Sequence, residues 1–201
     1  LCMGRNNIAI FMNNNDLSMN NSLMCIGVDP GLSGAIGVIT TDGITEKHMV
    51  YDIPTIPYKG KKIIHDDVLF SIMRDIVSTP NIVRLFAVIE EQHPFPKQGA
   101  VSGFTLGVTY GTILTCVKML KIPFVEVKPR DWQKLFGITG TGKDKKKQTK
   151  QMSCAIANKR YPTLTFYSPR GKLYDGRADA ILMAEYGKML QLGKRKIQLP
   201  K

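Results

Sequence analysis

The sequence predicts a single α/β domain on a mixed five-stranded sheet, an antiparallel meander joined to parallel strands and flanked by helices. Three observations predict it. The runs "LMCIGVD", "AIGVITT" and "ITEKHMVYDI" are rich in β-branched residues and separated by the turn formers "PGLSG" and "DG", the pattern of a meander. Further along, "VRLFAVIEE" and "IPFVEVK" read as strands that alternate with helical segments, the order that builds parallel pairs. At 201 residues and 43% apolar composition the chain holds one well-buried core and is short for two.

Residues 1–22 are rich in Asn and lack a sustained period, so they read as a flexible leader; 23–192 form the domain, and 193–201 a basic tail. After the meander, "KKIIHDDVLFSIMRDIVS" carries Ile64, Val68, Ile72 and Ile76 at four-residue spacing, which predicts an amphipathic helix ending before Pro80. The strand "VRLFAVIEE" and the loop "QHPFPKQGAV" follow, then a helix over 102–121 and the strand "IPFVEVK". "PRDWQKLFG" has Pro at its start and Gly at its end, the signature of a short helix. Two more helices are expected over 143–160 and 177–192. This order sets the first strand beside the fourth, with their ends on one edge.

Composition narrows the function. Twenty-eight Lys and Arg against sixteen Asp and Glu give a net charge of +12, which favours a polyanionic partner. Cys2, Cys25, Cys116 and Cys154 show no metal-binding spacing, which argues against a zinc site or disulfide framework and fits a reducing intracellular compartment. The apolar stretch "GVTYGTILTCVKML" is interrupted by Gly, Thr and Lys, so no membrane-spanning segment is expected.

Side chains alternate along a strand, so Cys25, Gly27 and Asp29 share a face, as do Phe86, Val88 and Glu90. If the two strands are parallel neighbours, Asp29 and Glu90 meet, and Glu91 faces the other way. Asp175 and Asp179, four apart at the start of the last helix, suit the helix dipole as plain first-turn charges, yet they also bring two more oxygen donors over the strand ends. Four carboxylates in one cleft repel unless cations neutralise them, and hard oxygen donors suit Mg²⁺ or Mn²⁺. Two such ions activate water and stabilise the leaving oxygen of a phosphodiester. The run "GKDKKKQTK" offers Lys143, Lys145, Lys146, Lys147 and Lys150 to DNA phosphates, or to water as a solvated helix start.

The blocks "CIGVDPGLSGAIGVI", "VIEEQHPFPKQGAVSGFTLGVTYG", "VEVKPRDWQKLFG" and "DGRADAILMAEYG" resemble the RuvC-type Holliday junction resolvases of the ribonuclease H superfamily, in the branch found in bacteriophages and plant chloroplasts. The likeness runs from about residue 24 to 188 in the family's order. It implies a ribonuclease H-like fold, a homodimer and cleavage of four-way DNA junctions with divalent metal, two Mg²⁺ per site with Mn²⁺ as a substitute. Asp29, Glu90, Asp175 and Asp179 fall on the family's catalytic acids, which bind the metal. The last two stand four apart, as in the phage-like branch, where bacterial RuvC proteins space them three apart. The resemblance puts a base-packing side chain in the loop after Glu90, where His93 stands nearest and Phe95 is the substitute; Lys97 completes this group of DNA contacts.

Gly103, Gly107 and Gly111 form a smooth stripe on the expected 102–121 helix, fitted either to the protein's own sheet or to a second copy in a dimer. Other readings stay open: a nuclease of this fold acting on other branched DNA or on RNA, or an inactive junction-binding protein. An actin-like ATPase also opens with a strand, an aspartate and a glycine, but the chain lacks the length and the second Asp-x-Gly strand that class needs.

Overall fold

Strand β1 (Leu23–Asp29) is apolar nearly throughout because it is buried on both faces at the centre of a sheet. The computed structural model describes residues 22–93 and 99–193. β2 (Ala35–Thr41) and β3 (Glu46–Asp52) extend the sheet antiparallel on one side of β1, while β6 (Arg84–Glu90) and β7 (Phe124–Val127) extend it parallel on the other. The resulting order, β3-β2-β1-β6-β7, is the mixed sheet that the sequence predicts and the arrangement of a ribonuclease H-like fold.

Helices cover both faces. On one, α1 (Asp66–Val77) and α2 (Ala100–Met119) pack against Met24, Ile26, Val28, Ile36, Ala87 and Ile89. On the other, α3 (Pro129–Leu135), α4 (Lys145–Arg160) and α5 (Asp175–Gln191) close over Ile39, Val88 and Trp132. α5 lies directly on the strands because Gly27 and Gly37 offer it a flat bed: a Cβ at Gly37 would stand 2.6 Å from the backbone of Ala180 and Ile181, and one at Gly27 would strike Ala180 O and Ala184 N. Both ends of α5 are pinned. Arg177 holds Asp52 at the end of β3 through two hydrogen bonds of 2.6 Å, and Tyr161 donates to Glu185 at 2.7 Å while Lys188 reaches Glu46 at 2.6 Å.

The structure corrects the sequence at several points. Lys61–Ile64, expected to begin a helix, is instead β5, paired with β4 (Thr55–Tyr58) in a separate hairpin. Lys59 and Gly60 both take positive φ, 46° and 74°, as a two-residue hairpin turn demands. Helix α1 therefore starts at Asp66, its buried side is Leu69, Met73 and Ile76, and Val68 is exposed. A strict four-residue spacing drifts by about 40° per step around a 3.6-residue helix, so Ile76 and the partly buried Ile72 reach the core while Val68 falls off its edge. α2 runs 100–119 rather than 102–121, α4 starts two residues late and leaves Lys143 outside it, and α5 starts two residues early, at Asp175.

The glycine stripe on α2 does not lie on the protein's own sheet: a Cβ at Gly103, Gly107 or Gly111 would meet open space. Beside it Val101, Phe104 and Val108 are 63%, 75% and 51% exposed. Against the sequence expectation, this 20-residue helix is long and apolar enough to cross a membrane by length and composition. Its internal Gly and Thr residues are tolerated in a helix, and Lys118 falls in its last turn, so they do not divide the apolar run. Cys25, Cys116 and Cys154 are buried and unbridged.

Candidate active site

The parallel register pairs Val28 with Ile89, so Asp29 and Glu90 are the next residues on neighbouring strands at one edge of the sheet. A Cβ at Gly187 of α5 would meet the side chains of Val88, Phe86 and Cys25, which identifies the face that also carries Asp29 and Glu90 by alternation. The first turn of α5 crosses this edge. A Cβ at Gly176 would come within 2.8 Å of Gly34 Cα and 3.0 Å of Asp29 Oδ2, so only a glycine lets the helix start this close to the aspartate. Asp175 opens the helix and Asp179 follows one turn on.

Electrostatics join the four acids. Burial, then the charges of Asp179, Glu90 and Asp175, hold the Asp29 carboxyl well above the ordinary aspartate range, with Lys150 opposing. Burial pushes Asp179 up to about 7, with Glu90 and Asp175 adding to it and a hydrogen bond from Ser153 and the charge of Lys150 opposing. Glu90 is raised by burial and pulled back by donors on both oxygens: Trp132 Nε1 at 3.0 Å to Oε2 and Gln92 Nε2 at 3.2 Å to Oε1. Lys150 forms an ion pair with Asp175, placing an ammonium inside the acidic edge.

Does this set fit a divalent cation? Asp179 Oδ1 is buried without a hydrogen-bond partner, an expensive state for a carboxylate oxygen and one that a cation relieves. All the donors are hard oxygens, and the raised carboxyls are those whose charges a cation would balance. The acids share one field but do not converge. Among the described residues, the trio whose ligand atoms lie within 4.8 Å of one another is instead His65, Asp66 and Asp67, at the start of α1, where exposed carboxylates suit the helix dipole.

The remaining sequence candidates divide. Lys143, just before α4, and Lys145, Lys146 and Lys147 in its first turn are exposed. An open basin of about 430 Å³ is lined by Lys143, Asp144, Lys146, Lys147, Lys150 and Leu173, so the lysine run borders the acidic edge. His93 pairs with Glu91 at 2.9 Å and is largely exposed; the structure does not turn it toward the four acids. Phe95 and Lys97 lie outside the described residues. Sequence reasoning missed Trp132, Gln92 and Ser153 as partners of the acids. Trp132 reads as a core anchor, and it is one, fully buried, but its N–H also reaches a residue 42 positions away.

No protein-family model matches the chain, and no curated protein matches it in sequence. Solved structures do resemble it in backbone. A Thermus thermophilus RuvC in complex with a Holliday junction substrate aligns with a TM-score of 0.48 at 12% identity, over 86% of this chain and 98% of its own. A second Thermus thermophilus RuvC structure aligns with a TM-score of 0.47 at 18% identity, over 84% of this chain and 97% of its own.

Proposed function

We propose that this protein is a structure-selective endodeoxyribonuclease that resolves four-way DNA junctions inside the cell, acting as a homodimer with Mg²⁺ or Mn²⁺. The observation that carries the reading is the edge itself: Asp29, Glu90, Asp175 and Asp179 share one field, with a partnerless buried oxygen on Asp179 and a lysine basin alongside. These four carboxylates would hold two ions, which when bound supply an activated water and stabilise the leaving oxygen of a phosphodiester. The chain's own contribution is positioning. Trp132 and Gln92 fix the Glu90 carboxylate by both oxygens, and Ser153 holds Asp179 by one. Lysines 143, 145, 146 and 147 neutralise the phosphates that flank the scissile bond, and His93, Phe95 and Lys97 belong to the loop that meets the junction centre.

Paired cuts require two sites at a fixed separation, which a two-fold dimer supplies. The outward glycine stripe of α2, bordered by exposed Val101, Phe104 and Val108, is the surface we assign to the second copy. The test is cleavage of a mobile four-way junction beside linear duplex, fork and RNA hairpin substrates in Mg²⁺, with Asp29→Asn in parallel. Junction cleavage abolished in the variant while junction binding persists supports the reading. Binding without cleavage by the wild-type chain would make it a junction-binding protein, and preferential cutting of another substrate would move the activity to that substrate.

A further inference from the structure

The β4–β5 hairpin takes no part in the acidic edge, yet it springs from the same place. Asp29 pairs with Ala35, Ala35 with Asp52, and Ile53 N donates to Gly34 O at 3.0 Å, so the chain leaves β3 beside Asp29 and enters β4 at Thr55. Ile53 and Ile64 anchor the base of the hairpin in the α1/α2 layer, whereas the lysine basin belongs to the α4/α5 layer. The hairpin therefore leaves the acidic edge from the sheet face opposite the layer that carries the lysine basin. From its base the hairpin extends four residue pairs, roughly 13 Å at a strand's rise.

Its tip is Tyr58-Lys59-Gly60-Lys61-Lys62. All three lysines are exposed, and among the described residues none is paired with a carboxylate. Tyr58 is 53% exposed, with Lys59 Nζ 5.2 Å from its ring centroid. Lys59 also occupies a left-handed conformation where such turns favour Asn, Asp or Gly. A cation held in this conformation at the summit of the turn points to a use beyond closing the turn.

We propose that this hairpin is a second DNA contact, resting on a duplex arm of the junction with Lys59, Lys61 and Lys62 on its phosphates and the Tyr58 ring against a sugar or a splayed base. The inference rests on the junction reading above and adds to it a site outside the lysine basin. The rival explanation is that Lys61, Lys62 and Pro57 only keep the free strand edges from pairing with other chains.

Titration of four-way junction in EDTA over a salt series separates the possibilities, using wild type, a Lys59→Ala/Lys61→Ala/Lys62→Ala triple and Tyr58→Ala. The triple should weaken binding and flatten the slope of log affinity against log salt by up to about 0.9 per lysine that contacts phosphate. Tyr58→Ala should lower affinity with the slope unchanged, and shortening one pair of junction arms should erase the difference between wild type and triple. A monodisperse triple variant with the wild-type slope overturns the inference. So does a variant that aggregates while its soluble fraction binds as wild type, an outcome that assigns the lysines to edge protection. Wild-type protein that binds no junction at any salt would fail the junction reading first, and it is measured before either variant.

Discussion

Trp132 has one polar atom, and its N–H donates to Glu90 Oε2. Trp132→Phe removes this donor and, with its smaller ring, leaves a small void in the core, so folding should suffer by about 1–3 kcal/mol while cleavage falls further. The missing bond favoured ionised Glu90, so the acidic limb of the pH–rate profile should move to higher pH. Asp29 and Asp179 give a second test at the same scale. Both carboxyls are raised in the folded chain, so it keeps protons that the unfolded chain has released. The Asp179 contribution to stability is fully present below the ordinary aspartate range, near pH 4, and is lost as pH rises through about 7, with Asp29 adding a loss of the same sign. In EDTA the melting temperature should fall across that window, Asp179→Asn should fall less, and Mg²⁺ near pH 8 should raise the Tm of wild type much more than that of the variant. A variant with the full wild-type slope and full Mg²⁺ response would remove Asp179 from the site. That Asp29 and Glu90 end neighbouring strands at one edge was legible in the sequence, since strand alternation and the parallel pairing follow from local pattern. The hydrogen bonds from Trp132, Gln92 and Ser153 were not, because a side chain's distant partner leaves no periodic mark.

At the scale of elements, α4 starts with Lys145, Lys146 and Lys147 exposed, the last two lining the basin, and reaches the acids with Lys150 one turn later. Replacing the first three with Ala should weaken DNA binding across sequences and lower the salt slope by up to about 0.9 for each phosphate no longer neutralised. Lys150→Ala should instead sharpen the repulsion among the acids when no metal is bound and weaken folding in EDTA, because it removes the ammonium paired with Asp175; melting curves with and without Mg²⁺ tell the two effects apart. Strong strand signals in β1, β2 and β6 made the sheet readable, as did Pro129 and Gly137 around α3. The β4–β5 hairpin was misread because Ile64 continues the four-residue spacing of Val68, Ile72 and Ile76; the Lys59-Gly60 turn was the signal that decides against it.

For the molecule as a whole, α2 carries, among the described residues, an apolar surface in need of a cover: three exposed apolar side chains beside three glycines open to solvent. A second copy packed there would bring helix backbones close, as small residues permit. Gly107→Leu has room within its own chain, so its fold should survive, while a partner helix would be pushed away. Light scattering should show a dimer for wild type and a shift toward monomer for the variant, with nicked product replacing linear product on a cruciform plasmid. A dimeric Gly107→Leu protein that still linearises the plasmid would move the interface elsewhere. The composition signalled a polyanionic partner, but whether the glycine stripe faced inward or outward depended on how α2 is rotated on the sheet, which no single helix sequence specifies.

The bed of Gly27 and Gly37 has a bearing on how such a site could change over time. Because α5 rests on bare backbone there, the height of Asp175 and Asp179 above Asp29 and Glu90 is gauged by atoms that are absent. A single methyl at either position would have to lift the helix or bend it, and a displacement of about 1 Å at a reacting centre is enough to slow catalysis on the order of a hundredfold. Two glycines buried beneath α5 thus act as the shim of the proposed site, and a lineage free to vary its lysines and its hairpin would have little freedom to vary them.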